Sequence, residues 1–300
     1  MPILTAATEK RIAVITDGAC DITGTEAAQR GFSVIPIPMV FPDGSASDSD
    51  GFPVRDFWQA LLADYTSMPK TSKPNVFTYE RKLQELADAG YEAAFILTMS
   101  TGLSSTYESA IAAAETAPIP TRVMDSRTVT WGMVLLCDAA VRGVESGLTL
   151  DELAEYVQTV RDSMGIYFVV DTLEYLVRGG RAGRAAGLLA TALDIKPILT
   201  IEADGIIEPA KKCRGRKKAY QKLAGIVAER TAGVEDLHYI MLFTNDRSDT
   251  EELRAELETA GLDATYDGMK QVGITVGIYA GPGTSATIYW QDIDPETFRA

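Results

Sequence analysis

FILTMSTGLSSTYESA, Phe95–Ala110, reads as a strand that runs into a Ser/Thr/Gly turn and then into a helix. Working outward, the same alternation recurs through the first half. Arg11–Thr16 (RIAVIT) and Ser33–Val40 (SVIPIPMV) are strand-like, the second weakened by Pro36 and Pro38, which cannot donate to a ladder. Val54–Tyr65 and Phe77–Ala89 carry helical periodicity. After the Ala94–Thr98 strand come a Ser104–Thr116 helix, a short Arg122–Met124 strand, and helices at Val129–Glu145 and Leu150–Ser163. Strands separated by helices imply a mainly parallel sheet covered on both faces.

The second half is more mixed. Ile166–Val170 and Tyr239–Phe243 read as strands, and Ala185–Leu193, Lys217–Arg230 and Thr250–Ala260 as helices. Val272–Tyr279 and Thr287–Trp290 read as neighbouring strands, which implies an antiparallel component. The expectation is a two-lobed α/β protein: an N-terminal lobe, 1–165, around a mainly parallel sheet with flanking helices, and a mixed α/β lobe, 166–300.

Of 300 residues, 46% are hydrophobic and 23% charged, enough for sizeable cores and unlike a disordered chain. A net charge of −14 disfavours general nucleic-acid binding. Three scattered cysteines, Cys20, Cys137 and Cys213, fit free thiols in a reducing compartment. No apolar run approaches the roughly 20 residues of a membrane span and no secretory signal is visible, so the cytoplasm is the default and stable membrane insertion is not expected.

In parallel sheets, ligands bind beyond the carboxyl ends of the strands, where helix N-termini present free N–H groups. Ser105 and Glu108 stand in S-x-x-E register, so Ser105 can cap the helix and free the Ser104 hydroxyl for an anion; the alternative is that Ser104 is the cap. Thr71 and Ser72, held between Pro69 and Pro74, form a second hydroxyl-bearing clip that can share that anion. Gly102–Thr106 partly resembles a nucleophile elbow, but Thr106 replaces the last glycine and the one histidine, His238, opens a strand. The acids in Thr16–Asp21 read as caps or turn formers rather than metal ligands. Gly281–Gly283 reads as a tight turn by the cleft, not a dinucleotide fingerprint, since a strand follows it. Two basic runs, Arg178–Arg184 (RGGRAGR) and Lys211–Lys218 (KKCRGRKK), are either solvated faces or docking surfaces.

Taken in order, TDGACDI (16–22), TSKPN (71–75), MSTGLSSTYESA (99–110), MDSRTVTWG (124–132), YFVVDTLEYLVRGGR (167–181), DIKPIL (194–199), KKCRGRKKA and AGPGT resemble the DegV family of fatty-acid-binding proteins, from about Arg11 to about Trp290. The resemblance implies a long-chain fatty acid with its chain buried and its carboxylate held near the cleft by Thr71 and Ser104. It also implies a separate fatty acid kinase that phosphorylates the bound acid and supplies the ATP and magnesium; the chain itself needs no cofactor or metal and is no enzyme. Tyr279 stands where the family usually has a histidine near the carboxylate, and Lys73, Asn75, Thr101 and Ser105 also depart from its pattern. Ser72, Ser100 and Tyr279 are further head-group candidates, and Arg178, Arg181 and Arg214 candidates for docking the partner. The helix over Leu188–Leu193 is a candidate tunnel wall. Against this carrier stand a lipid-responsive module without a kinase and an esterase using Ser104.

Overall fold

Ile12–Asp17 (β1) is buried along its whole length, as a strand inside a helix-covered parallel sheet must be. The computed structural model describes residues 11–49, 53–64, 69–188 and 195–299. From β1 the chain passes through Gly24–Gln29 (α1) to Phe32–Ile35 (β2), then to the short strands Pro38–Val40 (β3) and Ala46–Asp48 (β4). Val54–Ala63 (α2), Lys70–Thr71 (β5) and Val76–Asp88 (α3) lead to Ala93–Thr98 (β6). Thr106–Ala114 (α4), Thr121–Asp125 (β7), Trp131–Glu145 (α5) and Leu150–Ser163 (α6) complete the first half. Its sheet has the order β2-β1-β6-β7 and is parallel throughout. Helices bury one apolar layer on each face, around Phe95, Met133 and Tyr156 on one side and Ile15, Tyr79 and Ile96 on the other.

The segment 33–40, expected as one strand, is two. Pro36 separates β2 from β3, which leaves the parallel sheet and pairs antiparallel with β4 and β5 in a small sheet of its own. A proline has no N–H to give a ladder, and the pairing of the edge strand β2 with β1 ends at Ile35, just before it.

The second half holds Gly165–Val169 (β8), Glu174–Arg178 (α7), Ile195–Ile201 (β9), Ile207–Arg214 (β10), Arg216–Arg230 (α8), Leu237–Phe243 (β11), Ser248–Thr259 (α9), Thr265–Gln271 (β12), Ile274–Ala280 (α10) and Ser285–Gln291 (β13). They build one six-stranded sheet in the order β10-β9-β8-β13-β11-β12, with β11 and β12 parallel and the other pairs antiparallel. Three of its strands, β9, β10 and β12, went unread in the sequence. β12 and β10 are the sheet's edges, and their exposed polar residues hide the strand pattern.

Val272–Tyr279 is not a strand. Its β-branched residues favour β structure, but Ile274–Ala280 is a helix, with Ile274 and Ile278 packed on Phe57, Trp58 and Met39. Tertiary burial overrides propensity in so short an apolar run. The antiparallel component expected from this region is present, carried by β13 between β8 and β11. Within the expected 185–193 helix, Gly183–Leu188 forms a 3-10 turn, and residues 189–193 of that helix and of the candidate wall lie outside the described residues.

Candidate functional site

In the parallel sheet the direction of strand succession reverses between β1 and β6, and the site is built at their carboxyl ends. Asp17, at the end of β1, ties the two together: its carboxylate accepts the Ala19 N–H at 3.0 Å and the Met99 N–H at 2.8 Å. Burial raises its pKa to about 6 against the pull of those two donors. This is the capping and turn role read from the sequence.

The turn after β6 is fixed by Ser100, which donates to the Gly205 carbonyl at 2.7 Å and accepts the Gly102 N–H at 3.2 Å. A Cβ at Gly102 would lie 2.4 Å from the Gly205 oxygen, so only glycine lets the turn rest on the β9–β10 hairpin. Ser100 is thereby committed to the backbone and does not line the cavity. Ser104 does line it. Its hydroxyl meets Thr106 Oγ1 at 2.9 Å and accepts the Thr106 N–H at 3.3 Å, while Ser105 forms no side-chain cap. The capping box expected between Ser105 and Glu108 is absent because Ser104 takes the capping contact, and Lys73 draws Glu108 into an ion pair at 3.5 Å.

Opposite stands the clip. β5 places Thr71 beside Met39 of β3, and the Ser72 N–H donates to Pro38 O at 2.9 Å. The Thr71 hydroxyl contacts the Tyr279 phenol in a short hydrogen bond. Thr71, Ser72, Lys73, Ser104 and Tyr279 border one cavity.

Arg181 also borders it, which the sequence reading did not foresee. Its guanidinium lies 5.1 Å from the centre of the Tyr279 ring and donates to Leu103 O at 3.1 Å and Gly179 O at 2.7 Å. A Cβ at Gly179 would come within 2.3 Å of that ring, so this glycine of the RGGR run makes room for the tyrosine. This end of the cavity thus brings the hydroxyls of Thr71, Ser72, Ser104 and Tyr279 together with the Lys73 ammonium and the Arg181 guanidinium, donors of the kind a carboxylate accepts from.

The rest of the cavity is apolar. Its floor takes a side chain from each strand of the six-stranded sheet except β12: Ile207 of β10, Ile201 of β9, Ile166 and Phe168 of β8, Ala286 of β13 and Leu242 of β11, with Val272 just beyond β12. Five interstrand spacings make that row roughly 24 Å long. Met99, Leu103, Val129 and Val276 close it from above. The cavity leaves about 100 Å³ for the centres of water-sized spheres, several times the roughly 10–15 Å³ that one water needs.

The other candidates are not gathered here. Arg178, in the last turn of α7, lies 4.0 Å from Glu174, and Arg214 is exposed at the end of β10. The second basic run divides between an edge strand, with Lys211 and Lys212 exposed, and α8, where Arg216 bonds Asp171, Asp249 and Gly283 O. Charged edges of that kind discourage strand pairing between molecules. Arg184 of the first run pairs with Asp204 and Glu208. His238 pairs with Asp267 at 2.6 Å and does not line the cavity, so Ser104 has no histidine base there. Among the described residues no cluster of His, Cys, Asp or Glu is arranged to hold a metal, and no helix is long and apolar enough to cross a membrane.

The chain matches the family model described as "Uncharacterised protein, DegV family" over residues 11–292. The chain belongs to the DegV family. A DegV domain-containing protein of Streptomyces coelicolor is 31% identical over 91% of this chain and 96% of its own. A Thermotoga maritima relative named fatty acid-binding protein is 26% identical over the same shares. A solved DegV structure from Thermus thermophilus, described by its fatty acid binding, superposes with a TM-score of 0.85 at 26% identity, covering 94% of this chain and 100% of that one. DegV proteins therefore include several described as fatty-acid binders, and this chain shares their α/β fold.

Proposed function

We propose that this DegV protein binds a long-chain fatty acid, its chain along the six-stranded sheet and its carboxylate between Thr71, Ser104, Tyr279 and Arg181. The observation that carries the reading is one cavity that joins a hydroxyl and guanidinium cluster at one end to a continuous apolar floor. Each buried methylene contributes about 0.8 kcal/mol, so a chain of about sixteen carbons supplies most of the affinity. The head-group donors then fix orientation and select an acid over an alcohol or ester. Ser72, exposed beside Thr71, is an outer contact. The protein holds the acid without converting it: the site pairs Ser104 with no base.

Presentation to a separate fatty acid kinase in the cytoplasm belongs to the same proposal, as does the division into lobes near residue 165. With Arg181 turned inward, docking falls to Arg178 and Arg214, both at the surface. A lipid-responsive module without a kinase differs only in that last step.

Titration of the delipidated protein with hexadecanoic acid tests the reading. Thr71→Val and Ser104→Ala are each expected to weaken binding by about tenfold, the worth of a charge-assisted hydrogen bond, and Arg181→Gln by more. Unchanged affinity in all three variants would remove the carboxylate from this end of the cavity.

A further inference from the structure

The apolar cavity has a polar interruption about one helical turn from Tyr279. Thr130 and Thr275 line it, are 2% and 5% exposed, and their hydroxyls have no hydrogen-bond partner among the described residues. Asp21 Oδ2, behind them, is also buried without a partner. Thr130 is close enough to Asp21 to favour its ionised form, yet the two fall outside hydrogen-bond geometry. Thr275 stands in the wall between this cavity and a second one bordered by Asp21, Thr23 and Ser49.

Buried polar atoms in native proteins almost always have partners, and valine would fill either threonine position with the same shape. The backbone holds the group in place at a conformational cost. Thr130 has φ 51° and ψ −135°, rare for a β-branched residue, and its N–H is pinned to Ala19 O at 2.7 Å. Asp21 has φ 64°, and its Oδ1 lies 3.5 Å from the Val276 nitrogen. Such backbone collects where a ligand is recognised.

We propose that Thr130 and Thr275, backed by Asp21, recognise a hydroxyl group on the acyl chain, so that the preferred ligand is a hydroxylated long-chain fatty acid. The proposal rests on the fatty-acid reading above. A hydroxyl donates and accepts at once, and so satisfies two threonine hydroxyls together. Thr275 lies one turn before Tyr279 on the same side of α10, a rise of about 6 Å. The recognised hydroxyl therefore belongs on the half of the chain nearer the carboxylate.

The test is competition between octadecanoic acid and monohydroxylated octadecanoic acids, with the hydroxyl moved stepwise along the chain. The wild-type protein is expected to favour one positional isomer over the plain acid by about tenfold. In the Thr130→Val, Thr275→Val double variant that ratio is expected to fall to about one. Thermal unfolding of ligand-free Thr275→Val serves as the folding control: its melting temperature should equal or exceed that of the wild type, because an unpaired buried hydroxyl is removed. Equal binding of all the acids by the wild type would mean that water satisfies these atoms and would overturn the proposal alone. A preference that persists in the double variant would overturn it too. Failure of every acid to bind would instead overturn the fatty-acid reading, and this proposal with it.

Discussion

Asp17 and Asp21 are the residues whose protonation the fold changes most clearly in the physiological range. Burial raises their pKa values to about 6 and about 7, from the ordinary carboxylate value of 3.8. Each binds its proton more tightly in the folded chain, so their contribution to stability is complete below pH 4 or so and is lost as pH rises through 6 and 7. Every tenfold gain in proton affinity on folding is worth about 1.4 kcal/mol, so the loss amounts to a few kcal/mol for each residue. Asp43, Asp171, Asp204 and Asp246 have pKa values lowered by folding, so their effect lies at more acidic pH and does not cancel this one. Denaturant unfolding between pH 4 and 8 should show stability falling across that window, and Asp21→Asn should flatten the fall; an identical slope in the variant would contradict the assignment. The sequence showed these acids as turn formers, and Asp17 is one. Their burial was not legible, because it is made by residues far along the chain: Met99 for Asp17, Gly273 and Val276 for Asp21. Arg181 carries the same lesson. In the sequence it is one basic residue among several, and only the ring of Tyr279 and the Leu103 carbonyl turn it toward the cavity.

At the level of elements, the continuous apolar strands were the easiest to read and the polar edges of the six-stranded sheet the hardest, while β9, an inner strand interrupted by Lys196 and Pro197, was missed as well. β1 and β6 are continuous apolar runs, whereas β10 and β12 place exposed polar residues around the rim of their sheet. Capping boxes show a similar limit. Thr149 and Glu152 form one at the start of α6, but Ser105 and Glu108 share that spacing and do not, because Ser104 and Lys73 compete for the partners. The six-stranded sheet also sets the cavity's capacity. Ala286 of β13 is the smallest side chain in the floor, flanked in register by Phe168 and Leu242. Ala286→Leu should raise the floor at that point and weaken long acids by at least about tenfold, while short acids that stop before it lose less. A chain-length series on the variant checks this; a profile parallel to that of the wild type would show that the acyl chain does not cross β13.

Over the whole molecule, the six-stranded sheet of the second half meets turns of the first half along the cavity, and the segment after β13 ties the two halves together. After β13 it returns to the first half, where Phe298 packs 5.3 Å from the Tyr156 ring, Tyr156 donates to Ile293 O at 3.1 Å, and Arg142 meets Asp292 at 2.7 Å. The pairing of a helix-covered parallel sheet with a second, mixed sheet was legible from the change in element pattern along the chain, and the two hydroxyl-bearing turns from their places before helices. The cavity itself was not, since it takes single side chains from strands spread over the second half and a roof from the first. The central claim is that this cavity holds a fatty acid. Native mass spectrometry of the purified protein, followed by release and identification of what it carries, tests that most directly. The account predicts one long-chain acid per chain, retained through purification and lost on denaturation. A protein that comes out empty and takes up no fatty acid when one is offered would contradict it.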